Sequence, residues 1–364
     1  MDPCTRRTAA RLALVVVSTV VAVAGAEGVY RAFLAPDGGA GGDDAWYQRY
    51  RHMNETIYMR SEIEGLVYEP RPESVVEMEY GVAGFDAERR RWDGAPAEPP
   101  RDRTRVALVG DSLAWSEMVS VSDSLAAHLE DRLGAEAYEV SNFGVSGYDT
   151  REEAIYYEHR VRPHHPAIVV VVYCLNDLFM ASGPYGRFAT DEERALKDEQ
   201  DRMFDSVARV RRETLDGVAQ TEEREATFKL VAHLAALYRR ATFDDHYVDE
   251  YTIAAADPAR LERMRASLSR LGAAIRADGA VPVLIVSPIL ESWRRYHWTS
   301  IHEAVREAGE AAGFSVHDPL DEWRDTEQFE DLRSPGDNLH YGPQGNRTLA
   351  RFVAHAVHAA TELP

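Results

Sequence analysis

"RVALVGDSLAW", Arg105 to Trp115, passes from a short apolar run straight into Gly110, Asp111, Ser112 and Leu113. The first half reads as a strand and the second as the start of a helix. Two readings fit the junction. It is either a strand that ends in turn residues, or a strand that delivers a serine hydroxyl to the carboxyl edge of a sheet, where ligands of such sheets bind. The rest of the chain decides between them.

From residue 104 onward, short β-branched runs alternate with helical patterns. Strands are expected at 105–109 (RVALV), 138–142 (YEVSN), 167–173 (AIVVVVY), 281–286 (VPVLIV) and 314–317 (FSVH). A continuous apolar run such as "AIVVVVY" suits a strand buried on both faces. Helical stretches lie between, such as "DSLAAHLEDRLG", with an Asp or Ser cap at one end and Gly134 at the other. This alternation implies an α/β fold with a parallel sheet and helices on both sides. The interval 178–280 exceeds a simple crossover and is expected to hold a helical insertion. It reads either as solvated helices decorating the fold or as a mobile cap over the ligand crevice.

The chain of 364 residues is 45% hydrophobic, enough for a substantial core. Its net charge of -20 argues against nucleic acid as a partner, which would need a basic face. The two cysteines, Cys4 and Cys174, form no disulfide framework or zinc-type cluster. At the N-terminus Arg6, Arg7 and Arg11 precede an uncharged run from Leu12 to Ala26. The run is short of the roughly 20 residues of a spanning helix and long for a signal core. An uncleaved membrane anchor is the favoured reading; cleavage at an A-x-A site formed by Ala24 and Ala26, before Glu27, is the alternative and would give a secreted protein. In both, the basic tip stays cytoplasmic and the acidic remainder is exported, to the periplasm or cell surface. Residues 1–35 thus form the tip and anchor, and 36–103 a tether and flanking segment. The tether is "PDGGAGGDD" at 36–44, and residues 46–100 read as short extended pieces and turns. Residues 104–364 form the main domain.

A serine-type hydrolase needs a nucleophile, a general base, a group that orients the base, and donors for the oxyanion. Ser112 follows the first strand and precedes a helix. Near the C-terminus, "SPGDNLHYGPQG" places Asp337 three residues before His340, a spacing at which the carboxylate can hold one imidazole nitrogen while the other faces a serine. "SNFGVSGYDT" offers Gly147, whose bare backbone N–H can approach a ligand, and "VVVVYCLNDL" offers the amide of Asn176. Each stretch alone also has a bland reading: Asp337 and His340 as turn residues before a helix, Gly147 as a turn glycine, Asn176 as a cap.

Taken together, the four stretches resemble the SGNH (GDSL-type) hydrolase family, matching its blocks in order. These are "GDSL" at Gly110 to Leu113, "NFGVSG" ending at Gly147, "ND" at Asn176 and Asp177, and "DNLH" at Asp337 to His340. The resemblance spans residues 104 to 360. It implies a three-layer α/β/α sandwich, flavodoxin-like, with a five-stranded parallel sheet. It also implies Ser112 as nucleophile, His340 as base and Asp337 as orienter. The oxyanion donors would be the backbone N–H groups of Ser112 and Gly147 and the side chain of Asn176. Two positions depart from the family pattern. Cys174 stands where a glycine often precedes the Asn by two, and Ser116 where one often follows the Ser by four. The regions before residue 100 and after Asp177 are similar to those of bacterial members with a membrane anchor.

Other assignments compete. Ser146 in "GVSGY" fails the G-x-S-x-G elbow, since Tyr148 occupies the last glycine position. His164 and His165 have no companion ligand at metal-site spacing and read as solvated loop residues before a strand. Trp293, Tyr296, His297 and Trp298 are either packing at the sheet edge or a platform for a sugar or acyl group. The expected activity is that of an exported serine esterase acting on a small-molecule or glycan ester, with no metal and no cofactor. The alternatives are an O-acyltransferase using the same residues on an envelope or extracellular polysaccharide, and a non-catalytic glycan-binding protein on a hydrolase scaffold.

Overall fold

The computed structural model describes residues 42–95, 102–179, 185–195, 250–291, 293, 296–335 and 337–361. The Leu12–Ala26 segment, most of the Gly-rich tether and the centre of the 178–280 interval lie outside the described residues. Among the described residues no helix is long and apolar enough to cross a membrane.

The main sheet has five strands: β1 (Thr104–Gly110), β2 (Tyr138–Asn142), β3 (Ile168–Tyr173), β4 (Val281–Val286) and β5 (Ser315–His317). All four pairings are parallel, in the order β2-β1-β3-β4-β5. Every residue of β3 is buried, as its unbroken β-branched run requires of a central strand covered on both faces. The alternation of side chains divides the core in two. Ala107, Val109, Val169, Val171, Tyr173, Leu284 and Val286 belong to one apolar cluster, and Val106, Leu108, Val170, Val172, Val283 and Ile285 to the other. The expected three-layer sandwich is the observed fold.

Five helices matter for the site: α1 (Leu125–Leu133), α2 (Thr150–Tyr156), α3 (Pro258–Ala277), α4 (Thr299–Ala311) and α5 (Pro343–Thr361). Residues of α3 and α4 contribute to the first cluster, and those of α1 and α5 to the second. The side chain of Ser124 caps α1, accepting from the Ala127 N–H, and Gly134 ends it with a positive φ. Asp257 caps α3 in the same way, with Pro258 in the first turn. Met264, Leu268, Leu271 and Ile275 then fall on one face at helical spacing and are buried. The end of the 178–280 interval is therefore the crossover helix into β4, part of the body, and any insertion is confined to the residues before it.

The flanking segment is more regular than its composition predicts. Gly42–Ile57 is a helix, so the last residues of the expected tether are helical. Two short antiparallel hairpins follow, pairing Tyr58–Arg60 with Tyr68–Pro70 and Ser74–Met78 with Gly81–Phe85. Tyr58, Tyr68 and Phe85 are fully buried and join the first core cluster, which explains why so polar a stretch is ordered.

Candidate active site

The strand order places the topological switch between β1 and β3, whose carboxyl ends open the crevice where ligands of such sheets bind. Ser112 opens the short helix Ser112–Trp115 directly after β1, and Asn176 lies in the turn Leu175–Leu178 after β3. Gly147 follows β2, and Asp337 and His340 lie in the loop before α5. Elements far apart in the chain thus converge on one edge.

His340 Nε2 lies 2.8 Å from Ser112 Oγ, and His340 Nδ1 lies 2.7 Å from Asp337 Oδ2. The other Asp337 oxygen accepts the backbone N–H groups of Leu339 at 2.6 Å and His340 at 2.9 Å, so the loop folds around its own carboxylate. The loop is also pinned to its surroundings. Leu290 donates its N–H to the Asn338 carbonyl at 2.7 Å, and Ser287, just beyond β4, pairs its hydroxyl with that of Tyr341 at 2.8 Å. Burial disfavours the charged imidazole of His340. The Asp337 hydrogen bond and the charges of Glu117, Asp337 and Asp111 outweigh that effect and raise it to about 9. Burial also pushes the Asp337 carboxyl up, but the hydrogen bond and charge of His340 and the two backbone donors pull it down to about 2.

Three carboxylates surround this chain, and distance separates their roles. Asp111 Oδ2 is 3.4 Å from Ser112 Oγ, longer than the contact to His340, so the serine proton faces the imidazole. Asp111 is fully buried. It accepts the Leu113 N–H at 2.8 Å and the Asn176 side-chain amide at 3.0 Å, and burial raises its carboxyl. Glu117 Oε2 stands 3.9 Å from His340 Nε2, beyond hydrogen-bond reach, and instead accepts the Ser146 hydroxyl at 2.6 Å. Asp337 alone holds the imidazole; Glu117 acts on it through charge.

The groups expected to donate to an oxyanion have free hydrogen-bonding capacity among the described residues. The backbone N–H groups of Ser112 and Gly147 make no hydrogen bond among the described residues. Asn176 Nδ2 carries two hydrogens, and Asp111 takes one. Gly147 sits at φ 82°, where a side chain would be strained. Its loop is held against the Ser112–Trp115 helix by Asn142, whose amide donates to the Ala114 carbonyl at 2.8 Å and accepts the Gly144 N–H at 2.9 Å. A Cβ at Gly144 would overlap the Trp115 amide, so only glycine lets the two turns meet.

Both departures from the family pattern are accommodated. Ser116 ends the Ser112–Trp115 helix at φ 59° and ψ 62°, the left-handed conformation a glycine would adopt without strain. Its hydroxyl accepts the Leu125 N–H at 2.9 Å and links the turn to α1. Cys174 is extended, at φ -102° and ψ 144°, a conformation open to any residue.

The remaining candidates fall away from the chemistry. Ser146 has both its backbone groups and its hydroxyl engaged in hydrogen bonds. His164 is half-buried rather than solvated, its ring 4.8 Å from that of Phe143, because the turn before β3 packs on the loop after β2. Trp298 is buried, and Tyr296 stacks edge-on to it at 5.1 Å with its hydroxyl 2.7 Å from His302 Nε2. His302 in turn contacts Asp318 at 2.8 Å. Packing is thus the role of Tyr296 and Trp298. A cavity of about 360 Å³ beside Asp177 and Arg263 is lined by none of Ser112, Asp337 or His340.

Sequence reasoning missed Asp111, Glu117, Asn142, Arg91 and the tyrosines at 58 and 68. Asp111 and Asn142 stood inside quoted motifs, where a polar residue flanking a catalytic one was the available signal. Arg91 is buried and donates to the Trp115 carbonyl, to that of Ser116 at 2.6 Å and to that of Val119 at 2.5 Å. Nothing in its local sequence marks it.

Comparison with known proteins gives a family and a fold. Residues 108–348, well over half of the chain, match the family described as GDSL-like Lipase/Acylhydrolase. No curated protein matches. Among solved structures, the chain is similar to an acetylxylan esterase from Geobacillus stearothermophilus at 14% identity, covering 70% of this chain and 94% of that one, with a TM-score of 0.40. A lipase/acylhydrolase from Enterococcus faecalis is similar at 15% identity, with 71% and 96% covered and a TM-score of 0.42.

Proposed function

The chain belongs to the GDSL-like lipase/acylhydrolase family and is a hydrolase of ester bonds, and from that premise we propose that Ser112, His340 and Asp337 carry the reaction through an acyl-enzyme. The observation that supports it is the continuous chain from Ser112 Oγ through both nitrogens of His340 to Asp337. His340 Nε2 takes the hydroxyl proton as Ser112 Oγ attacks the ester carbonyl. Asp337 keeps the other imidazole proton on Nδ1 and balances the charge that forms. The oxyanion sits among the N–H groups of Ser112 and Gly147 and the free hydrogen of Asn176. His340 then protonates the leaving alkoxide. Water, deprotonated by the same nitrogen, releases the acid.

The substrate class in this reading is a small-molecule or glycan ester. The enzyme is exported and tethered to a membrane by Leu12–Ala26, a reading that the flanking Arg6, Arg7 and Arg11 support. Transfer to a polysaccharide hydroxyl would use the same residues and differ only in the acceptor. Incubation with a short-chain acyl ester, with and without a polysaccharide acceptor, separates the two. Free acid in equal yield with and without the acceptor is expected; an acylated polysaccharide formed at the expense of acid would contradict hydrolysis as the main outcome. Family membership and the intact hydrogen-bonded chain leave the non-catalytic reading without support.

The charge around His340 sets the pH range. Attack needs a neutral imidazole, and the imidazole is raised to about 9. Hence kcat/KM should climb about tenfold per pH unit between pH 7 and 8.5 and level off near 9. A profile already flat at pH 7 would contradict this. Stability runs the opposite way. The raised imidazole contributes fully below its ordinary value of 6.5, and that contribution is lost as pH rises through about 9.

A further inference from the structure

We propose that Tyr68, in the flanking segment outside the family match, is a positioning residue for the oxyanion hole, acting through the Ser146–Gly147 peptide. The inference rests on the reading of Gly147 as an oxyanion donor and goes beyond it.

The Tyr68 hydroxyl donates to the Ser146 carbonyl at 2.7 Å. That carbonyl belongs to the same planar peptide unit as the Gly147 N–H, and in a trans peptide the two point in opposite directions. Holding the oxygen therefore aims the hydrogen. A hydrogen bond to the oxygen also polarises the amide and makes its N–H a stronger donor. Burial raises the Tyr68 hydroxyl well above its ordinary range, so it remains a donor at every working pH.

The neighbouring contacts restrict the unit further. Ser146 donates its own N–H to the Tyr58 hydroxyl at 3.2 Å and its side-chain hydroxyl to Glu117 at 2.6 Å. All the polar groups of Ser146 are thereby occupied, while the N–H of Gly147 makes no hydrogen bond among the described residues. Tyr68 is itself fixed: its ring packs edge-on to Tyr58 at 5.5 Å and against Tyr148 at 5.1 Å, and the Tyr148 hydroxyl donates to the Tyr68 carbonyl at 2.5 Å. Both tyrosines are fully buried. Arg91, from the same flanking segment, grips the Trp115 and Ser116 carbonyls that end the Ser112 helix and the Val119 carbonyl beyond it. The segment before the sheet domain thus holds both halves of the hole, the Ser112 turn through Arg91 and the Gly147 peptide through Tyr68.

Tyr68→Phe removes the hydroxyl and keeps the ring. In the full-length enzyme with a short-chain chromogenic ester, kcat should fall about 10- to 100-fold with KM within twofold, because the oxyanion forms only in the transition state. Affinity for a trifluoromethyl ketone, which forms an oxyanion adduct, should fall by the same factor. The pH at which kcat/KM levels off should not move. Tyr157→Phe controls for loss of a buried hydroxyl. Its partner is Asp278, just ahead of the amino end of β4 and so at the opposite edge of the sheet, and activity should stay within threefold.

If Tyr68→Phe fails to fold, Tyr58→Phe, which removes the acceptor of the Ser146 N–H, should show the same pattern at about 3- to 10-fold. Wild-type kcat and inhibitor affinity in the folded tyrosine variant overturn the inference. If Ser112→Ala is meanwhile inactive, the triad reading stands and only the role of Tyr68 fails. An active Ser112→Ala enzyme sinks the underlying reading itself.

Discussion

Ser112→Ala should lower kcat/KM for a short-chain ester by about 10⁵- to 10⁶-fold and leave the protein folded. The magnitude follows from what the hydroxyl would do: among the described residues, Ser112 Oγ is the hydroxyl hydrogen-bonded to His340 Nε2. Ser146, the alternative weighed from the sequence, has its hydroxyl committed to Glu117. The structural cost is small, because the substitution deletes one oxygen whose main partner is His340 at 2.8 Å. A change of about 1 kcal/mol in unfolding free energy is expected. The oxyanion donors survive the substitution, so a residual rate above that in water should persist. Activity within tenfold of the unsubstituted enzyme would contradict the assignment.

Asp337→Asn carries the second largest expected effect, about 10⁴-fold in kcat. An asparagine can donate to Nδ1 and so place the imidazole proton on Nε2, where it faces Ser112 and blocks proton removal. The same change removes the strongest influence that raises His340, so the remaining activity should level off at lower pH than about 9. Two signatures thus accompany one substitution. A third concerns stability: the depressed Asp337 carboxyl contributes above its ordinary value of 3.8, and the contribution fades as pH falls toward about 2. Asparagine cannot titrate, so the variant should lose that part of its acid sensitivity. Unchanged kcat with an unchanged pH profile would contradict the orienting role of Asp337.

The sheet was legible because its strands are continuous β-branched runs with turn residues at each end, and "IVVVVY" at 168–173 can be little else. The hydrogen-bonded chain of the candidate triad was legible because Ser112, Asp337 and His340 each follow or precede a regular element at a spacing that chemistry restricts. What stayed hidden depends on contacts distant in sequence. Tyr68 meets Ser146 across 78 positions and Arg91 meets the Ser116 carbonyl across 25, and neither the hairpin strand of Tyr68 nor the segment around Arg91 carries a pattern that names its partner. The helix at Gly42–Ile57 was missed because the Gly and Asp residues that open it also read as a spacer. Ser116 shows a different limit. Its residue type argues against a left-handed turn, and the close approach of the Ser112–Trp115 helix to the loop after β2 overrides that preference.

Covalent labelling tests Ser112 Oγ as the nucleophile of the acyl-enzyme without knowledge of the natural substrate. The purified enzyme should be treated with a fluorophosphonate and the site of modification read by peptide mass spectrometry, at pH 6 and at pH 9. A single adduct on Ser112 is expected, forming faster at pH 9 as His340 loses its proton, with none in Ser112→Ala. An adduct on any other residue, or no adduct on the folded protein at either pH, would contradict it.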